Sequence, residues 1–89
     1  MNSHTTSRFR SLLAALPASV QQQAREAYKR FAADPSQPSL RFKHVHPAEP
    51  IYSVRISRDY RALGVLHGDD IVWFWIGSHA DYERLLSQF

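Results

Sequence analysis

Near Leu40 the hydrophobic period of this chain changes, and that change limits the fold more than any other feature. Before it, Val20, Ala24, Ala27, Tyr28 and Phe31 recur at helical spacing, while Gln21, Gln22, Gln23, Arg25, Lys29 and Arg30 fall mostly off the stripe. After it, the run Ile51-Tyr-Ser-Val-Arg-Ile-Ser alternates. Tyr52, Val54 and Ile56 then share one face of a strand, and Ser53 and Arg55 share the other. A chain that is helical first and strand-forming afterwards packs a helical layer on a sheet, an α+β arrangement.

The remaining elements follow from local signals. Arg8 to Leu16 can make a short first helix that ends at Pro17, and Ser3 to Ser7 before it is a short edge strand or a frayed end. Pro17 suits the first turn of the second helix, where its missing N–H would be unpaired anyway, and Asp34-Pro35-Ser36-Gln37-Pro38 stops that helix. Leu40-Arg-Phe-Lys-His-Val reads as the first strand of a meander. The alternating run follows it, then Tyr60 to Leu66, a tight turn at His67-Gly68-Asp69, and an apolar strand from Asp70 to Ile76. Short connections make the sheet antiparallel. Ser78 with Asp81 three residues on reads as a helix start, giving a short C-terminal helix from Ala80 to about Ser87. Trp73, Phe74 and Trp75 are consecutive, so both faces of their strand need cover. Core packing is expected for at least two of them, and an exposed tryptophan would mark a protein contact.

The chain has 89 residues and is read as a single domain over 1–89 with room for one core. It has no cysteine, which removes disulfides, thiolate metal sites and thiol nucleophiles and fits a reducing, cytoplasmic compartment. No signal-like segment and no membrane-length apolar run is present. The formal charge of +3 is unevenly distributed. Arg41, Lys43, Arg55, Arg58 and Arg61 stand against only Glu49 and Asp59 between residues 41 and 61. A sheet could gather them into a patch for phosphate or an acidic protein, although a solvated face would carry the same residues.

Three strings, Pro38-Ser-Leu-Arg-Phe-Lys43, Tyr52-Ser-Val-Arg-Ile-Ser-Arg-Asp-Tyr-Arg-Ala-Leu63 and Ile76-Gly-Ser-His-Ala-Asp-Tyr82, resemble the RelE/ParE superfamily of type II toxins. With the helices, the resemblance covers nearly the whole chain. It implies a helical hairpin packed on a twisted antiparallel sheet and a tight antitoxin partner in a possible hetero-oligomer. It also implies one of two activities: RelE-like, YoeB-like and YafQ-like members cut mRNA in the ribosome, and ParE-like members poison DNA gyrase. No membrane association and no cofactor is implied. The preferred reading is an mRNA endoribonuclease; the alternatives are a gyrase inhibitor or an inactive binding module of the same fold.

Metal-free RNA cleavage needs an acid, a base and cations around the phosphate. His79 is the leading acid/base candidate, because histidine titrates near neutrality and the Gly-Ser-His-x-Asp string resembles that around the catalytic histidine of YafQ-like toxins. Arg61 matches the phosphate-facing arginine of RelE-like and YoeB-like toxins, and Arg55 on the neighbouring strand is a second clamp. Either His44 or His46 is a further acid/base candidate; strand alternation puts the two on one face unless Pro47 disrupts the strand end. Lys43, Arg41 and Arg58 are expected at RNA phosphates, and Tyr82 is a candidate for stacking on a base, although a helical Tyr one turn from Leu85 and Leu86 is more often core. The lysine set of RelE-like toxins is reduced here to Lys43, and the terminal Tyr or His-Tyr of several RNases is missing. His44, His46, His67 and His79 lie on different elements without metal-ligand spacing, so no metal site is expected.

Overall fold

Local chemistry explains where each element starts and stops in the computed structural model, which describes residues 1–89. In chain order the elements are β1 (Asn2–Thr5), α1 (Ser7–Ala14), α2 (Ala18–Ala33), a single 3-10 turn (Pro38–Leu40), β2 (Lys43–His44), β3 (Ile51–Ser57), β4 (Tyr60–His67), β5 (Asp70–Ser78) and α3 (His79–Leu86). Thr6 caps α1, its hydroxyl accepting from the Phe9 amide at 3.1 Å. Gln21 donates to the carbonyls of Ala14, the last residue of α1, and of Leu16 just past it, satisfying groups that the helix leaves unpaired. Asp34 ends α2, and its carboxylate accepts from both the amide and the hydroxyl of Ser36.

The sheet order is β1-β5-β4-β3-β2. The meander from β2 to β5 is antiparallel, as its short connections require. β1, however, pairs parallel with β5, so the sheet is mixed and β5 lies inside it. The β4–β5 turn has two residues, and Gly68 at φ 60° occupies its first central position, as a type II′ turn demands. The first meander strand is much shorter than the expected run from Leu40 to Val45. Leu40 closes the 3-10 turn as a fully buried plug, and Arg41 then adopts the left-handed conformation, so that only Lys43 and His44 remain in the strand.

Helices α1 and α2 cover one face of the sheet. Phe9, Ala24, Ala27 and Phe31 pack there against Leu40, Val54, Ile56, Ile71, Trp73 and Ile76. The Phe31 ring meets Phe42 and Trp73 edge-on at 5.1 and 5.3 Å. Tyr28, expected on the same stripe, is 53% exposed. It sits at the edge of the stripe, where an apolar groove of about 720 Å³ between β1, α1 and α2 leaves it uncovered. The opposite face holds a smaller cluster of Leu63, Trp75 and Tyr82, covered in part by Leu85 and Leu86 of α3.

The two tryptophans divide between these cores. Strict alternation would put Trp73 and Trp75 on one face. Leu63 pairs with Trp75 but Gly64 pairs with Trp73, so Phe74 is the extra residue of a β-bulge that turns the two indoles to opposite sides. Both are buried. A Cβ on Gly64 would lie 2.7 Å from the Trp73 ring and 2.9 Å from Ile71, so only glycine lets that indole cross β4. No helix is long and apolar enough to cross a membrane.

Candidate active site

Register assembles the arginines. Arg55 on β3 lies directly opposite Arg61 on β4, and Arg61 lies opposite Gly77 on β5. One row further, Lys43, Ser53, Leu63 and Trp75 are successive cross-strand partners. Because side chains alternate, these residues project from the face that α1 and α2 do not cover. Arg41 precedes the short strand, and its charge reaches Arg61. None of Arg41, Lys43, Arg55 and Arg61 forms an ion pair; the ion pairs of the chain are His4–Asp70, His79–Glu83 and Arg84–Asp81. Unpaired cations gathered on one face make a seat for an anion.

Arg61 is half-buried, and one guanidinium nitrogen, Nη1, donates to the carbonyls of Ser57 (2.6 Å), Tyr60 (3.0 Å) and Arg58 (3.2 Å). These bonds fix the guanidinium against the β3–β4 turn. Burial lowers the pKa of Arg61, as do the charges of Arg55 and Arg41, while Tyr82 and Asp59 oppose the shift. Arg58 itself is exposed on the turn.

Helix α3 is built onto the same turn. Ser78 caps it, accepting from the Asp81 amide at 3.2 Å, and the His79 amide donates to the Asp59 carbonyl at 2.7 Å. The His79 ring is exposed, with Nε2 3.4 Å from Glu83 Oε1 one helical turn on. Its centroid is 5.9 Å from that of Tyr82. An acid/base candidate and a clamped arginine therefore share one turn as their support. Tyr82, by contrast, is 3% exposed, and its hydroxyl donates to Ser53 Oγ at 3.0 Å. It ties α3 to β3 from inside the core, where its ring cannot stack on a base.

The other two candidate histidines, His44 and His46, do not join this cluster. His44 pairs opposite Tyr52 and stacks on it at 5.0 Å, on the face shared with α2, and its Nε2 donates to the Glu49 carbonyl at 2.7 Å. His46 lies beyond the end of β2, accepts from the amides of Ala48 and Glu49 at Nδ1, and packs on Phe89 at 4.8 Å. Alternation fails for the pair because the strand stops at His44. Both rings hold the 46–50 turn in place. No three His, Asp or Glu side chains converge as a metal site.

Two features of the molecule are absent from the sequence reading. One is the left-handed Arg41, whose only local sign is the preceding Pro-Ser-Leu turn. The other is a second basic region: Arg8, Arg10, Arg25, Lys29 and Arg30 face only Glu26 within α1 and α2, and Arg25 and Lys29 line the apolar groove. Counting charge over residues 1–33 would have found it.

Comparison with known proteins agrees with the architecture. No curated protein sequence matches the chain. The toxin in a RelB-RelE antitoxin-toxin complex from Methanococcus jannaschii is similar to it over 92% of this chain and 96% of that one, with a TM-score of 0.74 and 14% identity. The YoeB/ParE toxin from Agrobacterium tumefaciens gives a TM-score of 0.69 at 12% identity over 89% and 99% of the two chains. YafQ from E. coli gives 0.66 at 9% identity over 91% and 96%. At such identities the likeness speaks for the fold. The ParE-like toxin domain family matches residues 18–84, three quarters of the chain and all of the arginine row and His79. The chain belongs to the ParE-like toxin domain family, within the RelE/ParE superfamily of toxins.

Proposed function

We propose that this toxin domain is a ribosome-dependent mRNA endoribonuclease that needs no metal. The observation that carries the reading is that the β3–β4 turn anchors both the backbone of His79, whose imidazole is exposed, and the guanidinium of Arg61, which lies opposite Arg55. In the proposed step a 2′-hydroxyl loses its proton and its oxygen attacks the adjacent phosphorus. The bond to the 5′-oxygen breaks, and that oxygen takes up a proton, leaving a 2′,3′-cyclic phosphate. His79 moves a proton in this scheme, and Arg55 and Arg61 oppose the charge gathering on the phosphorane oxygens. Lys43 and Arg58, on the same face and turn, extend the contact along the backbone. An antitoxin is the proposed partner, since similar toxins from Methanococcus jannaschii, Pyrococcus horikoshii and E. coli form complexes with RelB.

The matching family is described as ParE-like, which favours one rival, inhibition of DNA gyrase by binding alone. One experiment separates the two. Wild type and His79→Ala are expressed from a tight promoter while mRNA 5′ ends are mapped and plasmid supercoiling is followed. New 5′ ends inside translated codons for wild type only are the expected result. Intact mRNA with failing supercoiling would instead select gyrase.

A further inference from the structure

Arg41 is the one residue other than glycine with a positive φ, at φ 47° and ψ 42°. Glycine or asparagine ordinarily fills such a position, because a Cβ crowds the backbone there. The place is pinned by what precedes it: the Arg41 amide donates to the Pro38 carbonyl at 3.2 Å, and Leu40 beside it is fully buried. A second cost adds to the first, since the Arg41 charge bears on Arg61, which already faces Arg55, and none of the three has a carboxylate in an ion pair. Neither the strained turn nor the crowded charge helps the chain to fold, and backbone strain of this kind collects at binding sites.

We propose that Arg41 is a phosphate ligand held out by its left-handed turn, so that Arg41, Arg55 and Arg61 form a row that takes two consecutive phosphates of single-stranded RNA. This rests on the nucleic-acid reading above. Arg55 and Arg61 sit on neighbouring strands about 4.8 Å apart, and Arg41 lies two residues before Lys43, which pairs with Ser53 on β3, so the three cations span more than one phosphate group. Arg61 spends Nη1 on the turn carbonyls and offers its remaining N–H groups to a phosphate shared with Arg55. Arg41 then meets the next phosphate along the strand.

The test uses Arg41→Gly, Arg41→Lys, Arg55→Ala and Arg61→Ala in the full chain, with thermal unfolding and with anisotropy of a labelled hexauridylate across a salt series. Arg41→Gly removes the strain and the charge together. It is expected to melt at or a few degrees above wild type, yet to bind the RNA roughly threefold to tenfold more weakly, with a salt slope shallower by about 0.7. Arg41→Lys should keep most of that slope. Wild-type affinity in Arg41→Gly, a lower melting temperature for it, or no binding by wild type would each overturn the proposal. If Arg55→Ala and Arg61→Ala weaken binding while Arg41→Gly does not, only the role of Arg41 falls. If none of the three weakens it, the nucleic-acid reading of this face falls with it.

Discussion

Arg61 spends one nitrogen on the carbonyls of Ser57, Arg58 and Tyr60, so replacing it changes the turn as well as the charge. Losing bonds from a charged donor to half-buried carbonyls costs about 1–3 kcal/mol, and Arg61→Ala should therefore lower the melting temperature by several degrees. His79 is different. Its ring is exposed and its one ionic contact, with Glu83, is a surface pair of small worth. His79→Ala should melt within about 2 °C of wild type. Calorimetry on both variants checks this, and a large drop for His79→Ala would mean that the imidazole is structural. Much at this scale was legible, because strand alternation alone turns Arg55 away from Val54 and Ile56 and into the row with Arg61. The core position of Tyr82, one turn from Leu85 and Leu86, was legible as well, but its bond to Ser53, which is distant in sequence, was not.

Among the elements, β5 departs furthest from a regular strand, and its bulge needs Gly64. A methyl group there would overlap the Trp73 ring and Ile71, both of which lie in the main core. Gly64→Ala should cost about 1–3 kcal/mol, measured by urea unfolding; an unchanged midpoint would show that Trp73 has room to move. The sequence announces an apolar strand here but not its bulge, because period-two reasoning has no term for an extra residue. β2 shrinks for a related reason. Pro38 and the buried Leu40 favour a turn over the extended chain that Leu40-Arg-Phe-Lys suggests. β1 carries a titration signal: the hydrogen bond from His4 lowers the pKa of Asp70 on β5, with a further contribution from Asn2. A carboxylate with a depressed folded pKa adds stability that is whole above the ordinary aspartate range and is lost as pH falls through the lowered value. Protection of the Thr6 amide, which donates to the Trp73 carbonyl at the far end of the same ladder, should fall over that acid window in wild type. It should stay level in Asp70→Asn. Parallel curves for the two proteins would remove Asp70 as the cause.

Across the whole molecule, β1 decides whether β5 is an interior strand or an edge. Its four residues pair in register with Asn2 against Asp70 and Thr5 against Trp73, closing the sheet from opposite ends of the chain. The Trp73 indole also donates to Ser3 Oγ at 3.3 Å, and Ser3, His4 and Thr5 wall one side of the apolar groove. The sequence offers this segment as an edge strand or a frayed end, but Asn2-Ser-His-Thr has no apolar alternation and nothing local names its partner; the ladder exists because β5 offers unpaired backbone groups beside a buried tryptophan. Removing residues 2–5 would expose that backbone and widen the groove together. An apolar strand with an open edge recruits other chains. The shortened protein should associate, by sedimentation velocity, at concentrations where the full chain does not, and should unfold at lower urea. If it sediments and unfolds like the full chain, the meander holds β5 without help. The parallel ladder would then be an addition to a sheet already complete, and the apolar wall that Phe9 and Trp73 give the groove would not depend on β1.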